Sequence, residues 1–213
     1  MTSPAPELTQ KEMQGAQSRR QILDAALDLM SERGYAATSI SAISKRSGLP
    51  ASSIYWHFES KEGLLTAVLD DGAVSFVDSL PKFEELTGSP EERLAAVSRG
   101  LARGLAQGPR FLRLLLVMGL ESNSETSPVL GSIRAIRQRI IERTARSMEA
   151  TILPDSYSAK DKKHLARQLA LYSMVVVDGA YIAHQIDSSV DLASLFELQL
   201  NALINNLGRN VQA

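Results

Sequence analysis

Cysteine is missing from this chain of 213 residues, which removes disulfides, thiolate metal ligands and thiol catalysis together. Histidine is almost as scarce. His57, His164 and His184 are the three present, and their separations do not suit a shared metal. No glycine-rich phosphate loop follows a strand. The acid pairs at Asp70, Glu84 and Glu91 are adjacent residues, which do not share a helix face. These absences leave no catalytic constellation, so the expectation is a protein that is not an enzyme and carries no cofactor. The N-terminus is polar and lacks the apolar core of a signal peptide. No apolar run is expected to approach the length that spans a bilayer. A cytoplasmic protein without a membrane partner follows. One-sided charge is also lacking: the formal net charge is −1, so nucleic-acid binding leaves no global footprint. Hydrophobic residues make up 44% and charged residues 22%, normal for a soluble globular chain.

What is present is a dense run of helix signals from Thr38 to Leu65, TSISAISKRSGLPASSIYWHFESKEGLL. A first short helix is expected from about Ser39 to Ser47, with Thr38 as its cap. Ile40 and Ile43 share its inner face. Gly48 follows where a left-handed residue is usual, and Pro50 is expected at the first position of the next helix. Ala51 to Phe58 form that second helix, with Ile54 and Phe58 four apart on its buried side. Two short helices joined by a tight turn make a helix-turn-helix, which places its second helix in the DNA major groove. The outward positions are Ala51, Ser52, Ser53, Tyr55, Trp56 and His57, with Lys45 and Arg46 before the turn and Lys61 after it. Small residues at the helix start allow close backbone approach, and the first amides favour an anion. Ring donors suit holding a duplex in register through its phosphates. Basic charge is local: between Lys45 and Lys61 there are three cations and one anion, Glu59. Two copies on a dimer would double the phosphate contacts and steepen the salt dependence.

This segment resembles the DNA-binding region of TetR-family transcriptional repressors. The likeness rests on Arg19 and Arg20, Gly34-Tyr35, Thr38 to Ile40, Gly48 to Pro50, Ile54 to Phe58, Ser60 to Glu62, and Leu64-Leu65. It covers roughly Ser18 to Leu69. The resemblance implies that Thr38, Ser52, Ser53, Tyr55, His57 and Lys61 meet DNA. Trp56 stands where family members more often carry Tyr, which keeps a ring donor but changes its reach.

The rest of the chain reads as helices separated by proline and glycine. Residues 1–17 are polar, with Pro4 and Pro6, and are expected to form a disordered arm. Ser18-Arg-Arg-Gln21 fits a capping box, followed by the stripe Ile22, Leu23, Ala26, Leu27 and Met30 ending at Gly34. A helix after Ser60 runs toward Ser79. Ser89-Pro90-Glu91-Glu92 combines a capping box with proline at the first position, opening a helix toward Gly108. Further helices are expected after Pro109, from about Pro128 to Ile152, from Ser158 to Ile186, and from Asp191 to Leu207, with loops at residues 122–127 and 154–158. No strand or repeat is evident. The fold is therefore expected to be all-α with about nine helices: an arm at 1–17, a helix-turn-helix head at 18–65, and an effector-binding and dimerisation domain at 66–213.

The helix ending at Ile186 is apolar nearly all round, so it must be covered on more than one side. Gly179, Ala180 and Ala183 would admit a second helix, and Phe196, Leu200 and Leu203 on the last helix would lie beside it. Two helices from each subunit would make a four-helix homodimer interface, the arrangement the TetR resemblance implies; a monomer with a well-buried central helix is the plainer alternative. Phe111, Leu115, Met118, Ile136, Ile140, Tyr172, Met174, Val177 and Tyr181 are candidates to line a cavity for a small apolar or amphipathic effector. A solid core would show the same spacing. Asp178 is a carboxylate within an apolar run, placed to orient a ligand or to pair with an arginine. Arg99, Arg103, Arg110, Arg113, Arg134, Arg137, Arg139, Arg143 and Arg146 are matched locally only by Glu121, Glu125 and Glu142, which suits either an anionic effector or solvated helix faces. The expected function is a homodimeric regulator bound to a double-stranded operator and released by its effector. The competing class is a helical module that uses the same head on a protein partner.

Overall fold

The computed structural model of this chain describes residues 9–121, 127–151, 153 and 157–209. Residues 1–8 of the expected arm, Ile152, and residues 122–126 (with Glu125) and 154–156 of the expected loops lie outside these residues. Among the described residues the regular elements are α1 (Gln10–Arg33), α2 (Ile40–Ser47), α3 (Ala51–Phe58), α4 (Lys61–Ser79), a 3-10 turn (Phe83–Glu85), α5 (Pro90–Ala106), α6 (Arg110–Glu121), α7 (Pro128–Thr151), α8 (Ala159–Ile186) and α9 (Leu192–Arg209). The architecture is all-α, as the helix signals predict.

Local caps explain most boundaries. The Ser89 hydroxyl accepts the Glu92 amide at 3.2 Å while the Glu92 carboxylate accepts the Ser89 amide at 2.8 Å, with Pro90 opening α5. Ser158 caps α8 by accepting the Asp161 amide at 3.2 Å. Ser60 accepts the Gly63 amide at 2.9 Å and so caps α4. The start of α1 departs from expectation. The capping box used is Thr9 with Glu12, not Ser18 with Gln21. Residues 10–17 are thus helical rather than part of an arm, and the Ser18 hydroxyl, inside the helix, donates to the Gln14 carbonyl at 2.9 Å. Thr9 and Glu12 satisfy two terminal amides reciprocally, which fixes an end that polar composition alone does not mark.

The chain divides into two compact units: Met1–Gly72 with Arg110–Ile133, and Ala73–Pro109 with Arg134–Ala213. This differs from the expected boundary at residue 65, because α6 and the first turns of α7 belong with the head. In the first unit α1 packs against α2, α3 and α6. Ile22, Ala26, Met30, Ile43, Ile54, Leu64, Leu65 and Leu69 are its most deeply buried apolar residues. The Thr66 hydroxyl donates to Ser132 at 3.1 Å, tying α4 to α7 within this unit. In the second unit α5 lies against α9, α8 and the 3-10 turn, and α8 also meets α9.

Helix α8 corrects one expectation. It is long enough to cross a membrane, and one window of it reaches a mean hydropathy of 1.2 with only 17% of that window buried. Length and composition are all that this says. Within the helix stands Asp178, which accepts a hydrogen bond from Arg137 of α7 at 2.6 Å, and Lys160, Lys162 and Lys163 lie near its start.

Candidate nucleic-acid interface

The turn between α2 and α3 is set by three local devices. Gly48 takes the left-handed conformation (φ 73°, ψ 8°) that a residue with Cβ adopts only at a cost, and its amide donates to the Ser44 carbonyl at 3.0 Å. The Ser44 hydroxyl reaches across the turn to the Leu49 carbonyl at 2.7 Å. Pro50 is extended (φ −65°, ψ 151°) and is the N-cap of α3, not its first helical residue as expected. Proline has no side-chain acceptor, so no side chain caps the first amides of α3. The helix therefore begins with no side chain over its first amides and with small residues beside them, an arrangement suited to a phosphate.

Ile54 and Phe58 turn inward, 1% and 6% exposed. The opposite side carries Ser52, Tyr55 and Trp56 in the open, with Ala51, Ser53 and His57 half-buried. Trp56 is 77% exposed, and its ring meets the His57 ring edge-on with centroids 4.5 Å apart. His57 is held below the usual histidine range, first by its burial and then by the nearby charge of Arg19. Arg19 in turn lies 5.3 Å over the Phe58 ring, bracing α3 from α1.

The structure redefines three expected contact residues. Thr38 is neither a helix cap nor an outward side chain: it is 1% exposed and its hydroxyl donates to the Gly34 carbonyl at 2.8 Å. The cap of α2 is Ser39, whose hydroxyl accepts the Ala42 amide at 3.1 Å. Lys61 is anchored rather than loose, with its ammonium 4.3 Å over the Tyr35 ring and donating to the Ala36 carbonyl at 3.5 Å. Arg46 faces Asp28 and Glu32 of α1 at 3.7 and 3.8 Å. Lys45 is exposed in the last turn of α2, where a cation complements the helix dipole.

Two features escaped sequence reasoning. The Tyr35 hydroxyl donates to Glu62 at 3.1 Å, and burial followed by this carboxylate pushes its pKa up to about 12. Tyr35, Lys61 and Glu62 thereby lock the start of α4 to the turn that follows α1. The positions are 27 residues apart and leave no local pattern. The joint between α3 and α4 is the second feature. Glu59 is left-handed (φ 63°) and its amide donates to the Tyr55 carbonyl at 2.8 Å, while the Ser60 amide donates to the Phe58 carbonyl at 2.6 Å.

The expected effector and interface residues fare unevenly. Phe111, Leu115 and Met118 belong to the first unit, and Ile136, Ile140, Tyr172, Met174, Val177, Asp178 and Tyr181 to the second. Phe111, Leu115, Ile136 and Tyr181 are buried, and Met118, Ile140, Met174 and Val177 are half-buried. Tyr172 is 49% exposed and lies on the outer side of α8 rather than facing inward. Asp178 is the partner of Arg137. Arg110 and Arg143 also find acids, Asp28 and Asp78, beyond the local glutamates considered from the sequence. On the proposed interface, Gly179 is exposed and Ala183 and Leu203 are half-buried. Ala180 of α8 and Phe196 and Leu200 of α9 are buried within the chain, where α9 packs on α5 and also meets α8. The outward apolar residues are instead Leu171, Val175, Ile182 and Ile186 of α8 with Leu195 and Leu198 of α9.

Residues 22–68 match the sequence model described as bacterial regulatory proteins, tetR family. Among curated proteins, the HTH-type transcriptional regulator AcrR of Shigella flexneri is 42% identical over 62 residues, covering 29% of this chain and 29% of its own length. The fatty acid metabolism regulator protein of Bacillus subtilis is 30% identical over 77 residues, 36% of this chain and 40% of its own. The matches span well under half the length of these relatives. Over the whole fold, the transcriptional regulator FadR from Bacillus subtilis in complex with stearoyl-CoA superposes with a TM-score of 0.60 at 23% identity, over 87% of this chain and 97% of that one. The family match falls on α1 to α4, the stretch that carries the Gly48 turn and the outward face of α3. That segment is similar to the tetR family of bacterial regulatory proteins.

Proposed function

We propose that this chain is a ligand-responsive transcriptional regulator, a repressor that leaves a pseudo-palindromic operator when a small molecule binds. The observation that carries the reading is α3. It is a helix with an open N-terminus and a solvent-facing row of Ser52, Tyr55 and Trp56, held by a glycine turn to α2. Ser53, His57, Ala51, Lys45, Arg46 and Lys61 complete the DNA face, with Lys61 acting from its seat on Tyr35. Thr38 serves the face by fixing the chain before α2. The working form is a homodimer in the cytoplasm. A two-fold reader matches two half-sites about 34 Å apart per helical turn, and each protomer has an apolar face to cover. Leu171, Val175, Gly179, Ile182 and Ile186 repeat at helical spacing along α8, beside Leu195 and Leu198. Ile186 is 82% and Leu198 68% exposed, a cost that a second copy would remove.

The effector is read as amphipathic, with an apolar chain and an anionic end. The support is the buried and half-buried apolar set on α7 and α8, together with the arginines of α5 and α7. Stearoyl-CoA, bound by the Bacillus subtilis FadR, is of that class. The test begins with a duplex selected by the wild-type protein from a random-sequence pool. Fluorescence anisotropy should show salt-dependent binding that weakens in Tyr55→Phe and His57→Ala at unchanged melting temperature. A panel of acyl-CoA thioesters should then contain members that raise the melting temperature and lower duplex affinity, as linkage requires. Failure to select any duplex would favour the protein-interaction reading of the head. Equal affinity in wild type and both variants would remove the assigned face.

A further inference from the structure

One charged cluster in the first unit joins three helices. Asp28 of α1 accepts a hydrogen bond through Oδ1 from Arg110, the first residue of α6. Its other oxygen, Oδ2, faces Arg46 of α2 at 3.7 Å, and Glu32, one turn further along α1, faces the same guanidinium at 3.8 Å. The two contacts to Arg46 are beyond hydrogen-bond length, whereas the contact to Arg110 is a full charge-assisted bond. A single carboxylate thus serves two guanidinium groups and serves them unequally.

The inequality matters because of where Arg46 stands. It is exposed, beside Lys45, in the last turn of α2 before the Gly48 turn. We propose that Arg110 is a positioning residue for DNA binding: it draws Asp28 away from Arg46 and so leaves Arg46 free to swing onto a phosphate. Without Arg110, the whole charge of Asp28 falls to Arg46 and holds it against α1. The setting is adjustable from α6. Phe111, the next residue, lies so close to α4 that a Cβ on Gly72 would sit 2.3 Å from the Phe111 Cβ. Arg110 therefore moves with the seating of the first turn of α6 on α4, and that seating decides how much of Asp28 is left for Arg46. The inference rests on the DNA-binding reading above.

The test is a double-mutant cycle on the full chain, read by anisotropy on the selected duplex across a potassium chloride series. Arg110→Gln should weaken binding about two- to fivefold, the range an exposed ion pair can move. It should also make the salt slope shallower by up to about 0.9, the contribution of one phosphate. Asp28→Asn should tighten binding by a similar factor and steepen the slope. The double variant should behave as Asp28→Asn, because Arg110 acts only through that carboxylate. Melting curves show whether each variant is folded; a purely structural role would lower the melting temperature and leave the salt slope unchanged. Wild-type affinity and slope in Arg110→Gln would overturn the proposal. So would an equal loss from Arg110→Gln in both backgrounds, since its charge would then act on DNA directly. If the wild type itself binds no duplex in a salt-dependent way, the regulator reading fails together with this one. If it binds and the cycle is additive, only this inference fails.

Discussion

Gly63 is the position where the smallest change should do measurable harm. It lies in the first turn of α4, and a Cβ built there would stand 2.2 Å from the carbonyl oxygen of Phe58 and 3.4 Å from its carbonyl carbon. Real Cβ atoms essentially never come within 3.0 Å of another heavy atom, so Gly63→Ala must open the gap by at least 3.0 − 2.2 = 0.8 Å. The obstructing atom is backbone and cannot rotate aside. That same oxygen accepts the Ser60 amide at 2.6 Å, and Ser60 in turn accepts the Gly63 amide at 2.9 Å. Overpacking of this kind costs about 1–3 kcal/mol, and the better helix propensity of alanine returns at most ~1 kcal/mol. From the middle of the overpacking range, the net loss is about 1–2 kcal/mol. For a chain of this length that lowers the melting temperature by about 2–8 °C. Gly131→Ala in α7 is the control, because nothing lies within 4 Å of its Cβ; it should gain up to ~1 kcal/mol. Thermal melts followed by circular dichroism at 222 nm compare the two. A Gly63→Ala protein that melts at or above wild type would refute the close approach of α3 and α4.

Phe58→Ala removes a ring that is 6% exposed and should cost about 3–5 kcal/mol; urea titration should show it, and an unchanged midpoint would mean the ring is not part of the core. His57 has a lowered pKa, from burial first and Arg19 second, so below 6.5 the unfolded chain holds more protons than the folded one. Stability therefore rises with pH through that window and falls as pH drops below 6.5, and melting curves across it should flatten in His57→Gln. Val175→Glu and Ile182→Glu place charge on the outer face of α8 and should shift sedimentation from dimer to monomer. An unchanged dimer mass in both would move the interface elsewhere.

The helix-turn-helix was legible because its turn and inner face have local chemical causes, although both helix starts were read one residue off, with Ser39 rather than Thr38 capping α2 and Pro50 capping α3 rather than opening it. Gly48 needs its positive φ, Pro50 needs an extended start, and Ile54 with Phe58 declares the inner face. The caps at Ser89 and Ser158 were legible for the same reason. The start of α1 was misread because two capping boxes compete in sequence, Thr9 with Glu12 and Ser18 with Gln21, and only the fold shows which is used. The face of α8 was not legible in detail. An apolar pattern nearly all round carries no phase, so the buried Ala180 and Tyr181 could not be told from the exposed Val175 and Ile182. In α9, Phe196 and Leu200 are already buried within the single chain, and α9 packs chiefly on α5. Thr38 was placed outward, and Lys61 and Arg46 were read as unpartnered, because their partners do not show in the pattern: the Gly34 carbonyl, the Tyr35 ring, and acids on α1. The pairings of Lys61 and Arg46 are products of packing between separate elements and leave no spacing to read.

The joint of Glu59 and Ser60 has a consequence for which lengths of chain are permissible. Two residues carry the chain from the end of α3 to the start of α4, and both of their amides are already committed to carbonyls of α3. A residue inserted after Ser60 would turn α4 by about 100° about its axis. Leu64, Leu65, Val68 and Leu69, each 2% exposed or less, would then be carried off the core and polar neighbours brought in. Insertions and deletions should accordingly be lethal to folding at this joint and tolerated in the segment from Leu86 to Gly88, which precedes the cap of α5 and has exposed or half-buried side chains. A scan of single-residue insertions along the chain, scored by soluble yield, would map that contrast directly.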